Sequence, residues 1–153
     1  MVEIELVPST CWFSNVRSNV RPATWGRIRA DVAGRANWLC SICRRAGARH
    51  AVECHEVWSY NETARVQVLS DLVALCPDCH LVKHFGYALS QGRGRQALAW
   101  LCELNDWTPA MATAHVQAAM AVQHHRSQFQ WTLDLSLLQR RYGIRLNRLQ
   151  EEV

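Results

Sequence analysis

The chain has 153 residues, 49% of them hydrophobic, and carries a formal net charge of +4 at pH 7. That length suits one domain, or one small domain with a packed extension, and supplies enough apolar material for a core. No apolar run of roughly 18 residues is present to span a membrane, and the opening Met1-Val-Glu-Ile-Glu lacks the basic, then apolar pattern of a secretory leader, so a reducing cytoplasm is the expected setting.

Residues 1–21 show little periodicity and are expected to form an irregular lead-in with one short strand at Glu3–Val7. Pro22 to Ala36 predicts a helix, with Pro at its first position and Trp25, Ile28, Val32 and Ala36 recurring on one face. It leads into Cys40-Ser-Ile-Cys43. Beyond this pair, His50–Trp58 and Ala64–Leu69 carry β-branched and alternating apolar positions around Ser59-Tyr-Asn-Glu-Thr63, which predicts a β-hairpin ending at Ser70 or Asp71.

A second pair, Cys76-Pro-Asp-Cys79, runs directly into His80-Leu-Val-Lys-His84. Cys79 to Leu89 predicts a helix, because His80 and His84 are four residues apart and the apolar residues fall on the same turns. Gln91-Gly-Arg-Gly-Arg95 reads as a boundary. After it, Ala97–Leu104 and Thr108–Gln123 have helical periodicity, the second opened by Thr108 as N-cap and Pro109 at the first helical position. Trp131 to Leu138 is compatible with either strand or helix.

Seven cysteines in a secreted chain would point to disulfides, but the number is odd and four of them form two Cys-x-x-Cys pairs. Cys40, Cys43, Cys76 and Cys79 are therefore expected to close a tetrahedral structural Zn2+ site, and His80 and His84 to offer a second cation a pair of nitrogens on one helical face. Knuckle, hairpin and helix sharing one zinc make a treble-clef, or ββα-metal, unit. Cys11, Cys54 and Cys102 are expected as core thiols, Trp100, Trp107 and Trp131 as packing residues, and His115, His124 and His125 as structural or exposed side chains.

Basic charge is almost all arginine, 16 Arg against one Lys, and eight of the arginines lie between Asn15 and His50 opposite a single acid, Asp31. The planar guanidinium fork suits phosphate better than an ammonium does, so a nucleic-acid backbone is the expected partner.

Trp25-Gly-Arg-Ile-Arg-Ala-Asp-Val32, Cys40-x-x-Cys43, Val52-Glu-Cys-His-Glu-Val57, Ser70-Asp-Leu-Val-Ala-Leu-Cys-Pro-Asp-Cys-His80 and His84, in this order, resemble the HNH endonucleases of bacteria and phages over residues 22–90. The chain is thus expected to be α+β with three parts: an irregular lead-in at 1–21, residues 22–90, which the resemblance implies are a nuclease module with a helix before its metal unit, and a helical extension at 91–153 packed on it. The resemblance also implies metal-dependent hydrolysis of DNA, with a second divalent cation (Mg2+, Mn2+, Ni2+ or Zn2+) on His55, His80 and His84. Glu56 stands where the family's general-base histidine stands, and Asp71 where its asparagine stands. In an alternative register His55 is the base and His80, His84 and Asp71 are the ligands; the ungapped match of Glu53-Cys54-His55 to the family's Glu-Val-His favours the first. Arg27, Arg29, Arg44, Arg45, Arg93 and Arg95 are expected to hold phosphates. The competing expectation is a catalytically silent zinc module that binds nucleic acid or a partner protein, with the C-terminal helices as a partner surface.

Overall fold

The computed structural model describes residues 1–46 and 52–146. The expected start of the hairpin at His50, and Arg49 of the basic stretch, lie outside the described residues. Among those described, seven α-helices accompany one small sheet, so the chain is α+β. No helix among them is long and apolar enough to cross a membrane.

A short helix α1 (Val16–Asn19) starts at Asn15, whose side chain accepts from the backbone N–H of Ser18 while Ser18 returns the bond to the N-cap. Helix α2 (Pro22–Arg35) opens on the expected proline and buries Ile28 and Val32, with Trp25 and Ala36 packed partly against the same core. The hairpin comprises β1 (Glu53–Asn61) and β2 (Val66–Leu75), paired antiparallel. Both strands outrun the sequence expectation. The turn falls at residues 62–65, where Arg65 takes a left-handed φ of 54°, and not at Ser59–Thr63. Ser70 and Asp71 do not end β2. The register shifts between Val57 and Trp58 as a bulge, and the strand continues because Leu72, Ala74 and Leu75 still find buried positions.

The single helix expected over Cys79–Leu89 is two: α3 (Pro77–Lys83) and α4 (Phe85–Ser90). His84 sits at the break with φ −93° and ψ 51°, outside the helical well, while apolar positions continue across it. Helices α5 (Gly94–Asn105) and α6 (Pro109–Arg126) follow, the latter capped as expected by Thr108, whose side chain accepts from Met111 N. The C-terminal part is not purely helical. Thr132–Asp134 forms β3, parallel to β2, before α7 (Ser136–Tyr142), which settles the 131–138 segment as strand and then helix. Glu3–Val7 is not a strand of the sheet, and Glu5 N bonds Lys83 O at 3.1 Å instead.

The strand order is β1-β2-β3, which leaves β1 at an edge. One core packs α2 and α7 on the sheet through Ile28, Val32, Leu69, Leu72 and Leu138. A second gathers Ile4 with Leu81, Phe85, Leu101 and Val116, so the C-terminal helices brace α3 from behind. The site lies where α3 crosses the edge strand.

Candidate metal centres

The first centre joins the turn after α2 to the start of α3. Around Cys40 the chain folds back on itself: Cys40 N bonds Arg45 O, Arg44 N bonds Cys40 O, and Arg44 takes a positive φ of 61°. Ser41 N bonds Ala74 O at 2.8 Å, which pins this turn to β2. The ligand atoms of Cys40, Cys43, Cys76 and Cys79 all lie within 4.8 Å of one another. A zinc–sulfur bond of about 2.3 Å requires tetrahedral sulfur separations of roughly 3.8 Å, and Cys43 Sγ lies 3.7 Å from Cys76 Sγ. Four nearby thiols of this geometry can hold a structural metal ion such as zinc. The hydrogen bond with Cys79 pulls the Cys40 thiol down to about 4, while the same bond pushes Cys79 up. Trp100 Nε1 donates to Cys79 Sγ at 3.3 Å, which stabilises negative charge on that sulfur.

The second cluster lies one helical turn on. His80 of α3 and His84 at the break after it approach His55 on β1, and the ring centroids are 5.2 Å (55–80), 4.9 Å (55–84) and 4.6 Å (80–84) apart. One nitrogen from each falls within 4.8 Å of the others. His55 is 1% exposed, and its Nδ1 is buried with no hydrogen-bond partner. Burial, then the neighbouring His80 and His55, pulls His84 down to about 3; burial also lowers His80, against the opposing hydrogen bond to Glu53. Both rings are thus neutral at neutral pH and offer lone pairs, the form a cation requires. The donor set fits a divalent ion of borderline character.

Two carboxylates flank this cluster. Glu53 hydrogen bonds His80 Nδ1. Glu5 sits between His55 Nε2 at 2.9 Å and Lys83 Nζ at 2.6 Å; burial raises its pKa, but the bonds to His55 and Lys83 outweigh that and hold it below the ordinary carboxylate value. Neither acid was anticipated as a site residue. Glu53 had a local signal, two residues before His55 on the same strand face. Glu5 had none, since only the tertiary fold brings the N-terminal segment here.

Glu56, adjacent to His55 on the strand, faces the other side of β1. Its Oε1 accepts from Val16 N at 2.9 Å, and burial raises its pKa to about 7 despite the bonds from Val16 and Arg17. Glu56 nevertheless lines the same cavity as His80 and His84, a space of about 910 Å³ along the edge of β1 whose walls also include Arg17, Trp12, Trp25 and Trp58. Asp71 is not brought to the histidines: it accepts from Arg141 Nη1 and from Leu72 N, both at 2.8 Å. The register that makes Asp71 a ligand therefore lacks the geometry. Arg27, Arg29, Arg44, Arg45, Arg93 and Arg95 are all exposed, Arg45 pairing with Glu103 at 3.3 Å and Arg93 bonding Gln96 at 3.0 Å.

Comparison with protein-family models, with curated proteins and with solved structures finds no match for this chain.

Proposed function

We propose that this chain is an HNH-type, metal-dependent endonuclease that hydrolyses phosphodiester bonds in DNA. On this reading the knuckle at Cys40–Cys43, the β1–β2 hairpin and α3 form a treble-clef (ββα-metal) unit with a structural zinc, and His55, His80 and His84 hold the catalytic cation. The observation that carries the reading is the convergence of those three histidines, one with an orphaned buried nitrogen, beside a four-cysteine cluster and an open cavity. A divalent cation bound there would neutralise charge developing on the phosphate and on the leaving oxygen.

The chain's own groups do the rest. Glu56, with its pKa near neutrality, takes a proton from the water that attacks phosphorus, and the departing oxygen leaves with the electron pair of the broken P–O bond. Arg17, exposed at the cavity wall, and Arg27 and Arg29 along α2 hold flanking phosphates without reading bases. One observation favours the second reading, a silent DNA- or protein-binding zinc module: the Glu56 carboxylate is already engaged by the first amides of α1. Nicking of supercoiled plasmid separates the two. After chelator treatment and return of Mg2+, Mn2+, Ni2+ or Zn2+, the nuclease converts plasmid to open circles with at least one metal; binding without cleavage under every metal leaves the silent module.

A further inference from the structure

We propose that Glu5, delivered by the N-terminal segment, is the positioning residue of the histidine site: it fixes the ring of His55 through Nε2 so that Nδ1 presents the lone pair. The inference rests on the reading that His55, His80 and His84 hold a cation.

Three independent features lead to it. Glu5 Oε2 lies 2.9 Å from His55 Nε2, and a carboxylate only accepts, so in the metal-binding form of the ring, which carries one proton, that proton sits on Nε2. His55 Nδ1 is then a bare acceptor, and it is buried without any donor among the described residues. An unpartnered buried nitrogen is destabilising in a folded protein, and an electrophile facing it removes the penalty. Glu5 itself is not among the clustered ligand atoms, so it bears on the site through His55 and not as a fourth ligand.

The segment that carries Glu5 is clamped. Val2 exchanges two hydrogen bonds with the Asn105 side chain of α5 at 2.6 and 2.9 Å, and Ile4 N donates to His115 Nε2 of α6 at 3.1 Å. Glu5 N donates to Lys83 O, and Lys83 Nζ holds the other carboxylate oxygen at 2.6 Å. Buried Ile4 locks the strap into the helical core. The helices beyond residue 91 thus take part in the site at one remove, because Asn105 and His115 set where Glu5 stands. Carboxylate partners of this kind orient imidazole ligands and raise their basicity, and their loss weakens metal binding by about 10- to 100-fold.

The test titrates Ni2+ by calorimetry into full-length protein that retains its cysteine-bound zinc, with His84→Ala as the control for the site. Glu5→Gln is expected to weaken Ni2+ binding about 10- to 100-fold at unchanged zinc content. Nitrogen NMR of the metal-free wild type is expected to show His55 as the Nε2–H tautomer, and Glu5→Gln to shift it toward a mixture. Equal Ni2+ affinity in wild type and Glu5→Gln overturns the role of Glu5 and leaves the histidine site standing. A wild type that takes up no Ni2+ overturns both. Should Glu5→Gln fail to fold, the wild-type spectrum still decides, since an Nδ1–H tautomer contradicts the proposal outright.

Discussion

Glu56→Gln is the substitution with the most to say, because the same buried carboxyl group bears on stability and, on the proposed reading, serves as the general base. Burial lifts its pKa from 4.5 to about 7, so between those values the folded chain binds a proton that the unfolded chain releases. Stability therefore falls as pH rises through that window and is level above it. At about 1.4 kcal/mol per pH unit the full displacement is worth at most ~3 kcal/mol, and the side chain's contact with the open cavity reduces this to roughly 1–2 kcal/mol. Glutamine keeps the shape and still accepts from Val16 N but carries no charge to desolvate. Urea unfolding at pH 5 and pH 8, zinc present throughout, should show the variant gaining about 1–2 kcal/mol relative to wild type on going to the higher pH. An identical stability difference at both pH values would refute the desolvation argument. In plasmid nicking the same variant should lose about 10²- to 10⁴-fold in rate while retaining DNA and metal, as expected on removal of a general base.

Cys76→Ser should release the zinc and with it the fold, since thiolate sites of this kind contribute on the order of 10 kcal/mol, comparable to a whole small domain's stability; metal analysis and thermal melting read both. Replacing Arg27 and Arg29 together by Gln should weaken binding to all DNA sequences alike and lower the slope of log K against log salt by about 2; an unchanged slope places the phosphate contacts elsewhere. Asp71→Asn should leave cleavage within a few-fold of wild type, because its carboxylate is spent on Arg141 and Leu72 N and not on the histidines; a loss of two orders of magnitude would restore the other register.

What was legible in the sequence was local. Two Cys-x-x-Cys pairs and histidines four apart on a helix name their partners by spacing, and those groups come together as expected. The capping of α6 by Thr108 and the opening of α2 by Pro22 were legible for the same reason. What was missed depends on tertiary pairing. Ser70-Asp71 looks like a turn because it is polar, yet it is a bulge in a strand whose next residues are buried. The break at His84 is a backbone event that interrupts no apolar pattern. Glu5 reaches His55 across 50 residues of chain and announces itself by no periodicity.

The central claim is that the two clusters do different work, the cysteines holding the fold and the histidines the chemistry. Plasmid cleavage by His84→Ala, compared with wild type at matched zinc content and matched far-ultraviolet circular dichroism, addresses it most directly. The account predicts one zinc per chain in both proteins and metal-dependent nicking in the wild type alone. Undiminished nicking by His84→Ala would contradict it.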